Sequence, residues 1–203
     1  PRIGFLINPI AGMGGRVGLK GTDGDAYYEA LRRGAEPVAP KRAREFLEKL
    51  DPRSIRLLVA PGPMGWDIVS RTRVREAVEE IVGTLTGGLT SAEDTRRISG
   101  EMVDKGIDLL VFVGGDGTAK DILDAIDQKV PVLGIPSGVK MYSSVFAVSP
   151  EAAARVLEAF VRGETVLVEE EVLDIDEEAF RRDRLVVKLY GYLKIPYVRG
   201  LVQ

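Results

Sequence analysis

Residues 109–123 read Leu-Leu-Val-Phe-Val-Gly-Gly-Asp-Gly-Thr-Ala-Lys-Asp-Ile-Leu. An apolar run ends there in glycines wrapped around Asp116, and a helix-like pattern follows. Glycine lets the backbone turn sharply and approach a ligand without Cβ clashes, and a helix N-terminus aims free N–H groups and a positive dipole end at the same point. Such a turn can cradle a phosphate. The Asp116 carboxylate is poorly suited to touch that phosphate, unless a cation lies between them or it faces a hydroxyl that must lose its proton. Those residues therefore point to phosphate transfer onto a hydroxyl. A plain strand-to-helix turn, with Asp116 capping its own helix, is the structural alternative.

The rest of the composition narrows the chemistry. The 203 residues include neither cysteine nor histidine. Disulfides, thiolate metal sites, imidazole ligands and Ser-His-Asp triads are excluded together, so acid–base work falls to Asp or Glu. The net charge is −3, with no general positive field to gather nucleic acid or anionic membrane. No apolar run approaches the ~20 residues that span a bilayer, and no signal segment opens the chain, so a soluble, cytoplasmic protein is expected. The chain starts at Pro1 and stops at Gln203 just after a strand-like segment, which reads as a fragment of a longer protein.

The elements that must position Asp116 alternate. Arg2 to Asn8 and Ile55 to Ala60 read as buried strands, as do Ile107 to Val113 and Val130 to Ile135. Helices are expected over Lys41 to Leu50, through Val74, Val78, Ile81 and Val82 behind a Thr72 cap, from Ser91 to Lys105, from Thr118 to Asp127, and from Pro150 to Arg162. Thr90 to Glu93 matches a capping box, which leaves Asp94 to helix solvation. This alternation implies an α/β fold with a doubly wound, mostly parallel sheet. Beyond Gly163 the texture becomes β-branched, with strands over Thr165 to Ile175 and Leu185 to Pro196 around a charged turn from Glu177 to Asp183. The expected division is an α/β nucleotide-binding domain over 1–163 and the beginning of a β-rich second domain over 164–203.

Two further loops fall on the same sheet edge as Asp116. The loop from Asn8 to Gly24 can hold a phosphate through backbone amides, with Gly12, Gly14 and Gly15 giving close approach and Arg16 and Lys20 adding charge. It is not a Walker loop, because no Gly-Lys-Ser/Thr follows. Ser137, Gly138 and Lys140 follow the strand ending at Ile135, where Lys140 is either a point charge for phosphate or a solvated lysine. Trp66 and Tyr142 read as core or rim residues.

Gly114-Gly115-Asp116-Gly117-Thr118 resembles the signature shared by NAD kinases, diacylglycerol kinases and sphingosine kinases. With Ile7-Asn8-Pro9-Ile10-Ala11-Gly12-Met13-Gly14-Gly15, Thr90-Ser91-Ala92-Glu93-Asp94-Thr95 and Gly134-Ile135-Pro136-Ser137-Gly138-Val139-Lys140, nearly the whole chain resembles the ATP-NAD kinase-like (AcoX-type) family. The resemblance implies a fold like the NAD kinase N-terminal domain, followed by a β-rich domain, with the site between them. It implies ATP with Mg²⁺ and NAD as substrate, and Asp116 orienting or deprotonating the ribose 2′-hydroxyl. Gly114, Gly115, Gly117 and Thr118 would surround the phosphate donor. A homo-oligomer with nucleotide substrates follows from the same resemblance, while the charge and the lack of a spanning run lead one to expect no nucleic acid and no membrane partner. Asn8-Pro9 and its glycines also resemble the entry loop of diacylglycerol kinases, so a lipid acceptor is the alternative, and a non-catalytic nucleotide-binding protein is another. The chain departs from NAD kinases at Pro136, where they carry Asn. It also lacks their later Asn-Glu pair, since Asn8 is its only asparagine, so a complete acceptor site is not expected within these residues.

Overall fold

The computed structural model describes residues 1–12, 32, 34, 37–138 and 140–203. In chain order they form β1 (Arg2–Ile7), α1 (Ala39–Leu47), β2 (Arg56–Val59), the short α2 (Trp66–Val69), β3 (Val78–Ile81), α3 (Ala92–Asp104), β4 (Leu109–Gly114), α4 (Asp116–Ile126), β5 (Val132–Pro136) and α5 (Pro150–Val161). Then come β6 (Val166–Ile175), α6 (Glu177–Arg181) and β7 (Val187–Tyr197). The first five strands make one sheet in the order β3-β2-β1-β4-β5, and every pairing in it is parallel. This is the α/β architecture expected from the alternation of strands and helices.

Parallel strands covered on both faces must be apolar along their whole length. Accordingly every residue of β4 and β5 is buried, and so is β1 after Arg2. Alternate β1 side chains serve opposite faces. Phe5 stacks on Phe46 of α1 at 5.8 Å between centroids, whereas a Cβ at Gly4 would meet Met102 of α3. The chain winds from β1 to β2 and β3 on one side, then returns to β4 and β5 on the other. The crevice of such a sheet opens at the carboxyl ends of β1 and β4, where strand order reverses.

Three local expectations need correction. The helix expected over Thr72 to Val82 is a 3-10 turn, Arg73–Ala77, followed by β3. Residues 78–81 pair with the free edge of β2, and that tertiary partner overrides the helical spacing of the valines. Thr72 caps nothing; its hydroxyl donates to the Val69 carbonyl at 2.8 Å. The capping box of α3 sits one residue later than expected. The Ser91 hydroxyl accepts from the Asp94 N–H at 3.4 Å, and the Asp94 carboxylate accepts from the Ser91 N–H at 2.9 Å, while Glu93 pairs with Arg96 at 3.2 Å. Lastly, the charged turn after β6 contains α6, capped by the Asp176 carboxylate on the Ala179 N–H at 3.0 Å. That amide holds the Asp176 carboxyl below the usual carboxylate range.

Strands β6 and β7 form an antiparallel hairpin whose register shifts between Val172 and Leu173. Its inner side chains Val172, Leu193 and Ile195 join the same core as the parallel sheet. Polar contacts reinforce the seam with α4 and the turn after it: Gln128 Nε2 donates to the Tyr192 carbonyl at 3.2 Å, Lys120 pairs with Asp174 at 3.2 Å, and the Tyr190 hydroxyl donates to Asp124. The Asp124 carboxylate pushes the Tyr190 hydroxyl above its usual range.

The outer side of β5 carries a parallel bridge from Gly134 to Phe146. A Cβ at Gly134 would lie 2.6 Å from the Phe146 ring, which itself stands edge-on to Phe112 at 5.6 Å. Gly134→Ala should therefore lower stability to chemical denaturation by about 1–3 kcal/mol through overpacking. Adding Phe146→Leu should recover part of the loss.

Candidate functional site

Adjacent strands β1, β4 and β5 bring three loops to one edge, and a short set of hydrogen bonds fixes them. The Asn8 N–H donates to the Val113 carbonyl at 2.9 Å, and the Ser137 N–H donates to the Gly114 carbonyl at 3.0 Å. Asn8 Nδ2 donates to Thr118 Oγ1 at 3.2 Å, crossing from the β1 loop to the first turn of α4. Its Oδ1 accepts from the Ile10 N–H at 3.3 Å, which folds the chain back after Pro9. Gly12, with φ +82°, then lies so close to the third loop that a Cβ there would sit 2.1 Å from the Ser137 carbonyl oxygen.

The first turn of α4 answers the question raised by the glycines. Gly115 is the N-cap, without any side-chain cap, and Asp116, Gly117 and Thr118 are the first helical residues. Their N–H groups have no carbonyl four residues back within the helix, and the dipole gives them a partial positive charge. A Cβ at Gly117 would meet nothing within 4 Å, so space opens beside the helix end. Gly114 serves a different purpose. A Cβ there would lie 2.5 Å from Thr118 Oγ1, so this glycine admits the Thr118 side chain.

Asp116 does not cap its own helix. Its Oδ1 accepts from the Ser143 N–H at 2.8 Å and its Oδ2 from the Tyr142 N–H at 3.1 Å. The carboxylate thus grips the loop beyond β5, and each oxygen keeps lone-pair capacity for another donor. Ser143 is held in turn by β6, because its buried hydroxyl accepts from the Leu173 N–H at 2.8 Å.

The remaining candidates separate. Ser137 is fully buried, and its hydroxyl has no hydrogen-bond partner. Gly138 lies against Met141, whose methyl would be 2.9 Å from an added Cβ. Lys140 is exposed, with Nζ 5.3 Å from the Tyr142 ring centroid. Gly14, Gly15, Arg16 and Lys20 lie outside the described residues. Sequence reasoning missed the amides of Tyr142 and Ser143, which have no residue-type signature: any residue but proline supplies the same N–H. Trp66 packs part-buried against the core, as expected.

A family model described as ATP-NAD kinase N-terminal domain matches residues 3–165. No curated protein matches the chain. A solved structure assigned as a diacylglycerol kinase from Bacillus anthracis str. Sterne aligns with a TM-score of 0.42 and 13% identity, over 87% of this chain and 46% of its own. A second structure, of a diacylglycerol kinase from the same source, aligns with a TM-score of 0.38 and 14% identity at the same coverage. The chain spans about half the length of these two proteins.

Removing the carboxylate should free two backbone donors. Asp116→Ala is expected to cost about 1–3 kcal/mol in denaturant unfolding, since bonds to a charged acceptor exceed ordinary ones.

Proposed function

The chain belongs to the ATP-NAD kinase N-terminal domain family, and on that premise we propose that the protein transfers the terminal phosphoryl group of ATP to the ribose 2′-hydroxyl of NAD, giving NADP and ADP. The observation that carries this reading is the pairing, in one turn, of a helix N-terminus that no described side chain caps with the Asp116 carboxylate held beside it by the Tyr142 and Ser143 amides. A phosphate donor needs the first feature and an acceptor hydroxyl needs the second.

In this mechanism the N–H groups at the start of α4 donate to phosphate oxygens, and the open space at Gly117 admits them. Asp116 accepts a hydrogen bond from the acceptor hydroxyl and takes its proton as the new O–P bond forms and the bond to ADP breaks. Positioning and charge neutralisation dominate such transfers, and Mg²⁺ bound with ATP supplies the neutralisation. The described residues contain no cluster of three or more acidic side chains able to hold a metal. Mg²⁺ that arrives on the nucleotide phosphates would be bound in its usual manner, through few protein ligands. The β6–β7 hairpin begins a second, β-rich domain that completes the acceptor site, and the protein acts as a homo-oligomer.

The test is NADP⁺ formation from NAD⁺, ATP and Mg²⁺ by the intact protein, with diacylglycerol assayed in parallel. The expected result is NADP⁺ formation that EDTA abolishes and that Asp116→Asn lowers about 10²- to 10⁴-fold in kcat, the usual contribution of a positioned base. Phosphorylation of diacylglycerol alone would replace NAD by a lipid acceptor. Turnover of neither, with tight nucleotide binding, would leave a binding protein.

A further inference from the structure

The carboxylate of Asp116 is fixed by a loop, and something must fix the loop. Residues 140–144 form no helix or strand, yet they present two successive amides to Asp116, one to each oxygen. Two bonds tie this segment to β6: the Leu173 N–H donates to Ser143 Oγ at 2.8 Å, and the Ser144 N–H donates to the Glu171 carbonyl at 2.9 Å. They flank the register shift between Val172 and Leu173. Val172 pairs with Gly191 and Leu173 with Leu189, so Tyr190 of β7 is left out of the ladder, and on the β6 side the Leu173 N–H is turned to the Ser143 hydroxyl. Ser143 is 1% exposed, so no solvent replaces that hydroxyl if it is lost.

We infer that Ser143 is a positioning residue, which carries the placement of β6 at the register shift to the Asp116 carboxylate. Its hydroxyl holds Leu173, and its own N–H holds Asp116 Oδ1. The family match ends at residue 165, so the anchor of the reactive turn lies beyond the segment that the match covers. The inference rests on Asp116 being the reactive carboxylate.

The experiment compares Ser143→Ala and Ser143→Cys with the unsubstituted protein. Neither change removes the backbone N–H. Hydrogen exchange should quicken at the Tyr142 and Ser143 amides in Ser143→Ala, with β4 unchanged. In the NAD kinase assay kcat should fall roughly 10- to 100-fold while the KM for ATP stays within about twofold, as displacement of a reacting group predicts. Ser143→Cys, whose sulfur is a weaker acceptor, should fall between. Unchanged exchange at both amides together with unchanged kcat would overturn the inference. If the unsubstituted protein makes no NADP⁺, the kinase reading fails separately, and the exchange at Tyr142 and Ser143 alone decides whether Ser143 sets the carboxylate.

Discussion

A carboxylate at a helix N-terminus and a phosphate at the same terminus compete for one positive potential, and the arrangement around Asp116 resolves that competition. Both of its oxygens are engaged by amides of the loop beyond β5. The negative charge is thereby directed toward residues 142 and 143, and the N–H groups of the first turn of α4 are left for another anion. The same two bonds close the edge of the sheet, because they join the end of β4 to the segment that follows β5. Asn8 makes the corresponding connection from β1 through Thr118. The β1 loop and the segment after β5 are thus each linked to α4 by short polar contacts, while β4 runs into it directly through Gly115.

Helix α4 is correspondingly well held. Arg96 of α3 reaches Asp121 at 3.0 Å on one side, and on the other the hairpin contributes Asp174, Tyr190 and the Tyr192 carbonyl. Individually such part-exposed pairs add little stability. The apolar seam does more, with Ala119, Ile122 and Ile126 buried in the core and Leu123 packed where a Cβ at Gly191 would intrude. The polar pairs fix the direction in which the helix end points.

What the sequence made legible follows from where the information resides. Uninterrupted apolar runs marked β1, β4 and β5 because strands buried on both faces leave no room for polar residues. The glycines around Asp116 marked the turn because side chains there would collide with Thr118 or close the approach. Spacing failed at residues 72–82, where the partner strand, remote in sequence, decided between helix and strand. It also failed at Thr90–Asp94, where two overlapping hydroxyl–acid pairs fit the same rule one residue apart. The partners of Asp116 were hidden for a deeper reason. They are main-chain groups delivered by tertiary folding, and no residue type encodes them.

The two borders of the parallel sheet are finished differently. At β3 the strand is short and exposes Glu79 and Glu80, which are occupied by Arg2 at 2.7 Å and Lys105 at 2.8 Å. At β5 the border is taken up by backbone: Phe146 bridges Gly134, and the adjoining Ala147 bridges Val202. An incoming strand from another molecule would therefore have to strip ion pairs at one border or displace the chain's own residues at the other. The fold discourages recruitment into edge-to-edge aggregates without spending any residue of the crevice on that protection.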